Sequence, residues 1–412
     1  MSKILSTRSA IEKTVAKVVR DQPIIDIHTH LYPPVFGDLM LWGLDELLTY
    51  HYLIAEVFRV VPATGEGGLP YEKFWQMPKS AKADHIWKHL FVERTPISEA
   101  CRGVLTCLEM LGLDVNRKKD LTPLRKWFAR QNPDKYIDHV MQLANIESIT
   151  MTNNVFDDTE RALWLKNPKP LRNDPRFKTA LRIDPFLSDW PATAAKIKSW
   201  GYKDAKQFLN DWLDRQQAIY VAMSVAPDWR YPSSLPVLDK IILPILAERN
   251  MPLAMMIGCV RGVNPALRDA ADSLAQADVS SIARLCDAHP QNKFLITCLS
   301  RENQHELCIT ARKFGNLMPF GCWWFLNNPS LIEEITRMRM ELLGTSMIPQ
   351  HSDCRVLDQL LYKWKHSRAV IGKVLIDKYA DLLKAKWPLT ESDIKSDIER
   401  LFKTNFENFL AR

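Results

Sequence analysis

In the segment DIHTH, Asp26, His28 and His30 alternate with other residues, and the period-2 geometry of a strand points all three to one side with the imidazoles at its C-terminal end. Two neutral imidazoles so placed can grip a divalent metal ion. The segment QHSDCR, 350–355, offers Asp353 as a carboxylate; from a neighbouring strand it would complete a three-ligand set with positions open for water or substrate. The competing role for Asp353 is to cap the following helix. HIWKH places His85 and His89 one helical turn apart, but it lacks the Glu of a zinc-protease helix, so a solvated helix face is expected. His289 precedes a strand and is expected at the end of the fold remote from chemistry.

Eight short apolar runs are available to position these groups: 24–30, 147–154, 178–184, 218–225, 251–258, 293–300, 319–325 and 345–353. They are rich in Ile, Val, Thr and aromatic residues and alternate with helical patterns, which implies a parallel sheet. Eight such strands close a (β/α)8 TIM barrel, whose active sites form at the C-terminal ends of its strands. The expected organisation is a single α/β barrel domain over 1–412 with a helical insertion at 37–135, after the first strand. Helical periodicity also covers 355–387 and 391–410.

The composition excludes several classes. Of 412 residues, 46% are hydrophobic and 25% charged, the balance of a globular chain rather than a disordered one. The longest apolar stretches reach about ten residues, half of a membrane span, and no interaction with a membrane is expected. The net charge of +7 is spread without a basic cluster, which argues against nucleic-acid binding and suits an anionic small substrate. Neither GxGxxG nor GxxxxGK[ST] is present. The eight cysteines form no CxxC pair, so reduced, buried thiols are expected. The N-terminal stretch lacks the apolar core of a signal peptide, and a cytoplasmic location is the expectation.

The HxH of a first strand with the terminal Asp of an eighth resembles the amidohydrolase superfamily, and within it the chain resembles the uronate isomerase family. DIHTH is similar to the family's first-strand motif, and His51 and Tyr52 in TYHYLIAEVFR stand at its His-Tyr pair. TMTNNVFDD, 150–158, is similar to its strand-two loop, and Arg182 and Asp184 in LRIDP fall on its Arg-x-Asp. FGCWWF, 320–325, resembles its double-Trp segment, and SDCR resembles its Asp-Ser-Arg with Cys354 in place of Ser. There are two departures. Met256 stands where the family has a His before Ile-Gly, and MSVAPDW, 223–229, replaces its Ser-Asp-His.

The resemblance implies a barrel of the metal-dependent hydrolase type that isomerises a hexuronate, as in glucuronate to fructuronate or galacturonate to tagaturonate. One divalent ion, zinc being the expected one, would sit on His28, His30 and Asp353. The chemistry suits these residues. Aldose–ketose conversion moves a proton from C2 to C1 through an enediol, so it needs an electrophile for the oxygens and a base at the carbon. The metal with Asp353 serves the first need, and Tyr52 with His51 the second, the competing role of Tyr52 being a core aromatic of its helix. Arg182 and Arg355 would bind the substrate carboxylate; the competing roles are pairing of Arg182 with Asp184 and of Arg355 with a helix acid. Trp323 and Trp324 would point to opposite sides of a strand, with Trp324 at the mouth. His351 would lie one layer below Asp353, where it either orients that carboxylate or, as the leading expectation, is a buried structural histidine filling the layer. The partner is then a small sugar acid, and a homo-oligomer is compatible. Two rivals remain: a hydrolase of the same superfamily acting on a carboxylated sugar derivative or lactone, and a non-catalytic sugar-acid binding protein. Persistence of all three ligands argues against the second.

Overall fold

The computed structural model describes residues 4–114, 120–233 and 235–412. Seven strands, Ile24–Thr29, Ile146–Asn154, Phe177–Arg182, Tyr220–Val225, Leu253–Ile257, Phe294–Cys298 and Leu317–Pro319, form one sheet in chain order, every neighbouring pair parallel. Parallel strands need crossover connections, and the helices that supply them cover the sheet. The fifth and sixth strands are buried at every residue, as unbroken apolar runs such as LAMMI require. The sheet curls around an inner cluster that includes Ile27, Tyr220, Met256, Leu295 and Phe320. Phe406 and Phe409 of the last helix, Asn405–Ala411, join that cluster.

The architecture is an open, curled seven-stranded half-barrel, not the eight-stranded barrel expected from the sequence. The run 345–353 forms no ladder strand. It makes a single parallel bridge, Ile348 to Phe320, on one side. On the other, the Asp353 N–H donates to the His28 carbonyl at 3.1 Å and the His30 N–H to the Cys354 carbonyl at 2.7 Å. Local chemistry prevents a regular ladder: Pro349 has no N–H to give, and side chains take the next ones. Gln350 Oε1 accepts from the Cys322 and His351 amides at 2.7 and 3.1 Å, and Asp26 Oδ1 from the Ser352 amide at 3.1 Å. The seventh strand also ends earlier than the sequence pattern suggests, at Pro319.

Between the first and second strands lie helices that include His51–Val60, Lys79–Trp87, Glu99–Met110 and Pro133–Ala144. Ser98 and Asn132 cap the last two by accepting from backbone amides, as short polar side chains do at helix starts. The 26-residue helix Gln359–Lys384 follows the Asp353 segment directly. Asp358, at its start, accepts from Gly43 N–H at 2.7 Å and from the Tyr136 hydroxyl, which ties the helices after the first strand to the eighth segment. No described helix is long and apolar enough to cross a membrane. All eight cysteines are buried and free.

Candidate active site

The C-terminal end of the first strand and the eighth segment bring His28, His30 and Asp353 together, with one ligand atom of each within 4.8 Å of the others. Both imidazole Nε2 atoms approach Asp353 Oδ1, His28 at 3.4 Å and His30 at 3.3 Å. Neither contact has hydrogen-bond geometry, so His28 Nδ1 and Nε2 and Asp353 Oδ1 are buried without a partner. Buried polar atoms are normally paired. Two ligands each 2.0–2.2 Å from one ion at the tetrahedral angle lie about 3.4 Å apart, which is the spacing here. The donor set fits a divalent ion.

The surroundings fix these groups. Thr152 Oγ1 lies 2.8 Å from His30 Nδ1, leaving Nε2 for the centre. Burial pulls the His30 imidazole down to about 3, and Arg355 and Arg182 act in the same direction, so it is neutral at pH 7. Burial would raise the Asp353 carboxyl, but His28 and His30 hold it well below the usual carboxylate range. Asp353 also has φ +54°, a left-handed conformation costing a non-glycine residue on the order of 1 kcal/mol.

Asp26 is not a member of the cluster, although it shares the strand face. It accepts from Ser352 N–H and, through Oδ2, from the Trp364 indole at 2.8 Å. It therefore anchors the eighth segment and the long helix behind it. Of the two roles expected for His351, the structure has the buried packing one, and the ring does not orient the Asp353 carboxylate. Its two nitrogens are buried without a partner, and its ring packs edge-on to His28 with centroids 5.2 Å apart. A Cβ on Gly321 would stand 1.7 Å from His351 Nδ1, so this approach requires the glycine.

A cavity of about 30 Å³ sits at the centre, lined among others by His28, His30, His51, Met256, Arg182 and Arg355. Two larger chambers adjoin it, about 280 and 270 Å³, and Arg355 lines all three. Arg182 gives its Nε to Asp184 Oδ2 at 2.6 Å, and Asp184 Oδ1 accepts from Ser224 N–H at 2.6 Å, so that expected alternative pairing is present. Arg355 forms no ion pair among the described residues, and its backbone N–H donates to Gln359 at 3.0 Å. Its pairing with a helix acid is not found.

Trp323 and Trp324 both line the cavity, contrary to the opposite-face expectation. Period-2 alternation does not apply beyond Pro319, where the chain leaves the sheet, and Trp324 has φ +46°. The Trp324 indole donates to His51 Nε2 at 3.2 Å, and its carbonyl accepts from the Tyr52 hydroxyl at 3.3 Å. Tyr52 thus stands behind the wall, while its neighbour Tyr50 lines the cavity. Burial, then Arg355, bring the His51 imidazole down to about 3.

Tyr50, Ser224 and Arg261 line the cavity without having been singled out in the sequence. Arg261 pairs with Asp272 at 2.5 Å. Its signal was legible, a cation just past the C-terminal end of the fifth strand, where barrel sites form. His85 and His89 pack ring to ring, and His89 pairs with Glu93. His289 bonds Tyr231 and Asp239. None of these three histidines lines the cavity.

No protein-family model and no curated protein matches the chain. Among solved structures, it is similar to a uronate isomerase from Bacillus halodurans C-125, with 48% identity, 99% of this chain and 98% of that chain covered, and a TM-score of 0.94. A uronate isomerase from Thermotoga maritima is 12% identical over 99% of this chain and 100% of that one, with a TM-score of 0.75. A glucuronate isomerase from Caulobacter crescentus is 14% identical over 99% and 95%, with a TM-score of 0.70. At such identity the last two share the fold.

Proposed function

Because the chain belongs to the uronate isomerase family and is an enzyme of hexuronate isomerisation, we propose that its reaction runs at the His28–His30–Asp353 centre with Arg182 and Arg355 holding the substrate carboxylate. The observation that carries this reading is the convergence of the His28, His30 and Asp353 ligand atoms, those of His28 and Asp353 buried without a partner, and two arginines on one cavity. When bound, a divalent ion, zinc being the best match to two imidazoles and one carboxylate, polarises the substrate oxygens.

The remaining chemistry belongs to the chain. Arg355, free of an acidic partner, meets the carboxylate, and Arg182, braced by Asp184, meets it from the second and third strands' side. Asp353 passes the hydroxyl proton from O2 to O1. Tyr52, in its ionised form and displaced from the Trp324 carbonyl, takes the proton from C2 as the C2–H electron pair becomes the enediol double bond, and, once the phenol proton has exchanged with solvent, delivers one to C1. His51, neutral by burial, accepts the Trp324 indole N–H and sets the wall against which the sugar lies. The substrate is a glucuronate- or galacturonate-type aldose and the product its ketose.

The test is to load the protein with zinc and offer hexuronates in deuterated water. Ketose carrying deuterium at C1 is expected. A fully loaded protein that makes no ketose but opens lactones of the same acids would replace this reading with the hydrolase.

A further inference from the structure

Lys363 lies in the first turns of the helix Gln359–Lys384 and is 4% exposed. Its ammonium forms no ion pair among the described residues. Instead it faces two phenol rings, with Nζ 5.5 Å from the centroid of Tyr52 and 5.4 Å from that of Tyr362. Cation–π attraction operates within about 6 Å and strengthens where water is excluded. A methionine would fill the same space without desolvating a charge, so a lysine kept here is costly unless the charge is used.

On its other sides Tyr52 touches uncharged groups, with the charges of Asp353 and Arg355 acting from farther away. The Tyr50 and His51 rings stand 5.1 and 4.5 Å away, and the Trp324 carbonyl accepts its hydroxyl. Burial pushes its phenol well above the ordinary range, and the Asp353 charge pushes the same way. Lys363 is the cation seated on its ring.

We propose that Lys363 is a positioning residue for Tyr52, its ammonium fixing the ring and supplying the positive charge that favours the anionic oxygen during proton transfer between C2 and C1. This rests on the reading of Tyr52 as the proton carrier. Lys363 does not line the cavity, so it acts through the ring rather than on the sugar.

The experiment is a double-mutant cycle on the zinc-loaded enzyme with a hexuronate that it turns over. Lys363→Met is expected to lower kcat by about 10- to 100-fold with KM within about twofold, and Lys363→Arg to restore most of the loss. In a Tyr52→Phe background, Lys363→Met should cost nothing further. Equal losses in both backgrounds would overturn the proposal while leaving Tyr52 as carrier. Full turnover by Tyr52→Phe alone would remove the carrier assignment and this proposal with it. Lys363→Gln serves as a second neutral variant and should behave as Lys363→Met does; if neither neutral variant folds, the lysine serves the fold and the proposal is wrong.

Discussion

At the scale of residues, the centre makes separable demands. Removing an imidazole that has no other partner should abolish metal binding: one equivalent of zinc per chain is expected for the parent and none for His28→Ala by elemental analysis after gel filtration. Arg355→Met should act mainly on binding. A carboxylate buried without its guanidinium loses on the order of a hundredfold in affinity or more, so KM for uronates should rise steeply while kcat moves little. The tyrosines separate the other way: Tyr52→Phe should lower kcat by roughly 10²- to 10⁴-fold with little change in KM, and deuterium exchange at C2 should fall with it. If Tyr50→Phe shows that loss and Tyr52→Phe does not, the tyrosine that lines the cavity is the proton carrier. His28 and His30 were legible in the sequence because a strand's period is fixed. The place of Tyr50 and Trp323 in the cavity wall was not, because the chain there follows loop and helix-start geometry with no period to read.

At the scale of elements, the eighth segment decides the site. Its run TSMI promised a strand, but a proline and two side-chain acceptors replaced the ladder. That substitution of partners depends on groups far away in sequence, Asp26 and Cys322 among them, which a local pattern cannot reveal. The irregular path is what lets Asp353 turn into a left-handed conformation toward the histidines. Gly321 and His351 interlock beneath it, so Gly321→Ala should cost about 3 kcal/mol from overpacking and from the loss of glycine's freedom at φ +65°. Denaturant midpoints should show this cost, and part of it should be recovered in Gly321→Ala/His351→Ala. Additive losses would mean that the two residues do not share one space.

At the scale of the whole molecule, two buried imidazoles, His30 and His51, titrate near 3 when folded and near 6.5 when unfolded. Between those values the unfolded chain binds protons that the folded chain refuses, so stability falls as pH falls, by on the order of 1 kcal/mol per pH unit for each group. Melting of the metal-free protein from pH 7 to 4.5 should show this decline, and His51→Asn should make it shallower. Identical slopes would place His51 outside the buried set.

The central cavity holds about 30 Å³, the share of a single water molecule, whereas a pocket for an organic ligand measures roughly 300 Å³ or more. Its wall includes the indole of Trp324 bonded to His51, a joint between the loop after the seventh strand and a helix that follows the first. If a sugar acid enters and leaves as that joint parts, transit becomes a step with its own rate. If parting is slower than proton transfer, kcat should fall in proportion to solvent viscosity as sucrose is added, and substrate deuterated at C2 should turn over at nearly the rate of the protiated sugar. Trp324→Phe, which removes the indole N–H, should then show the opposite pair, a kcat indifferent to viscosity and an isotope effect exposed.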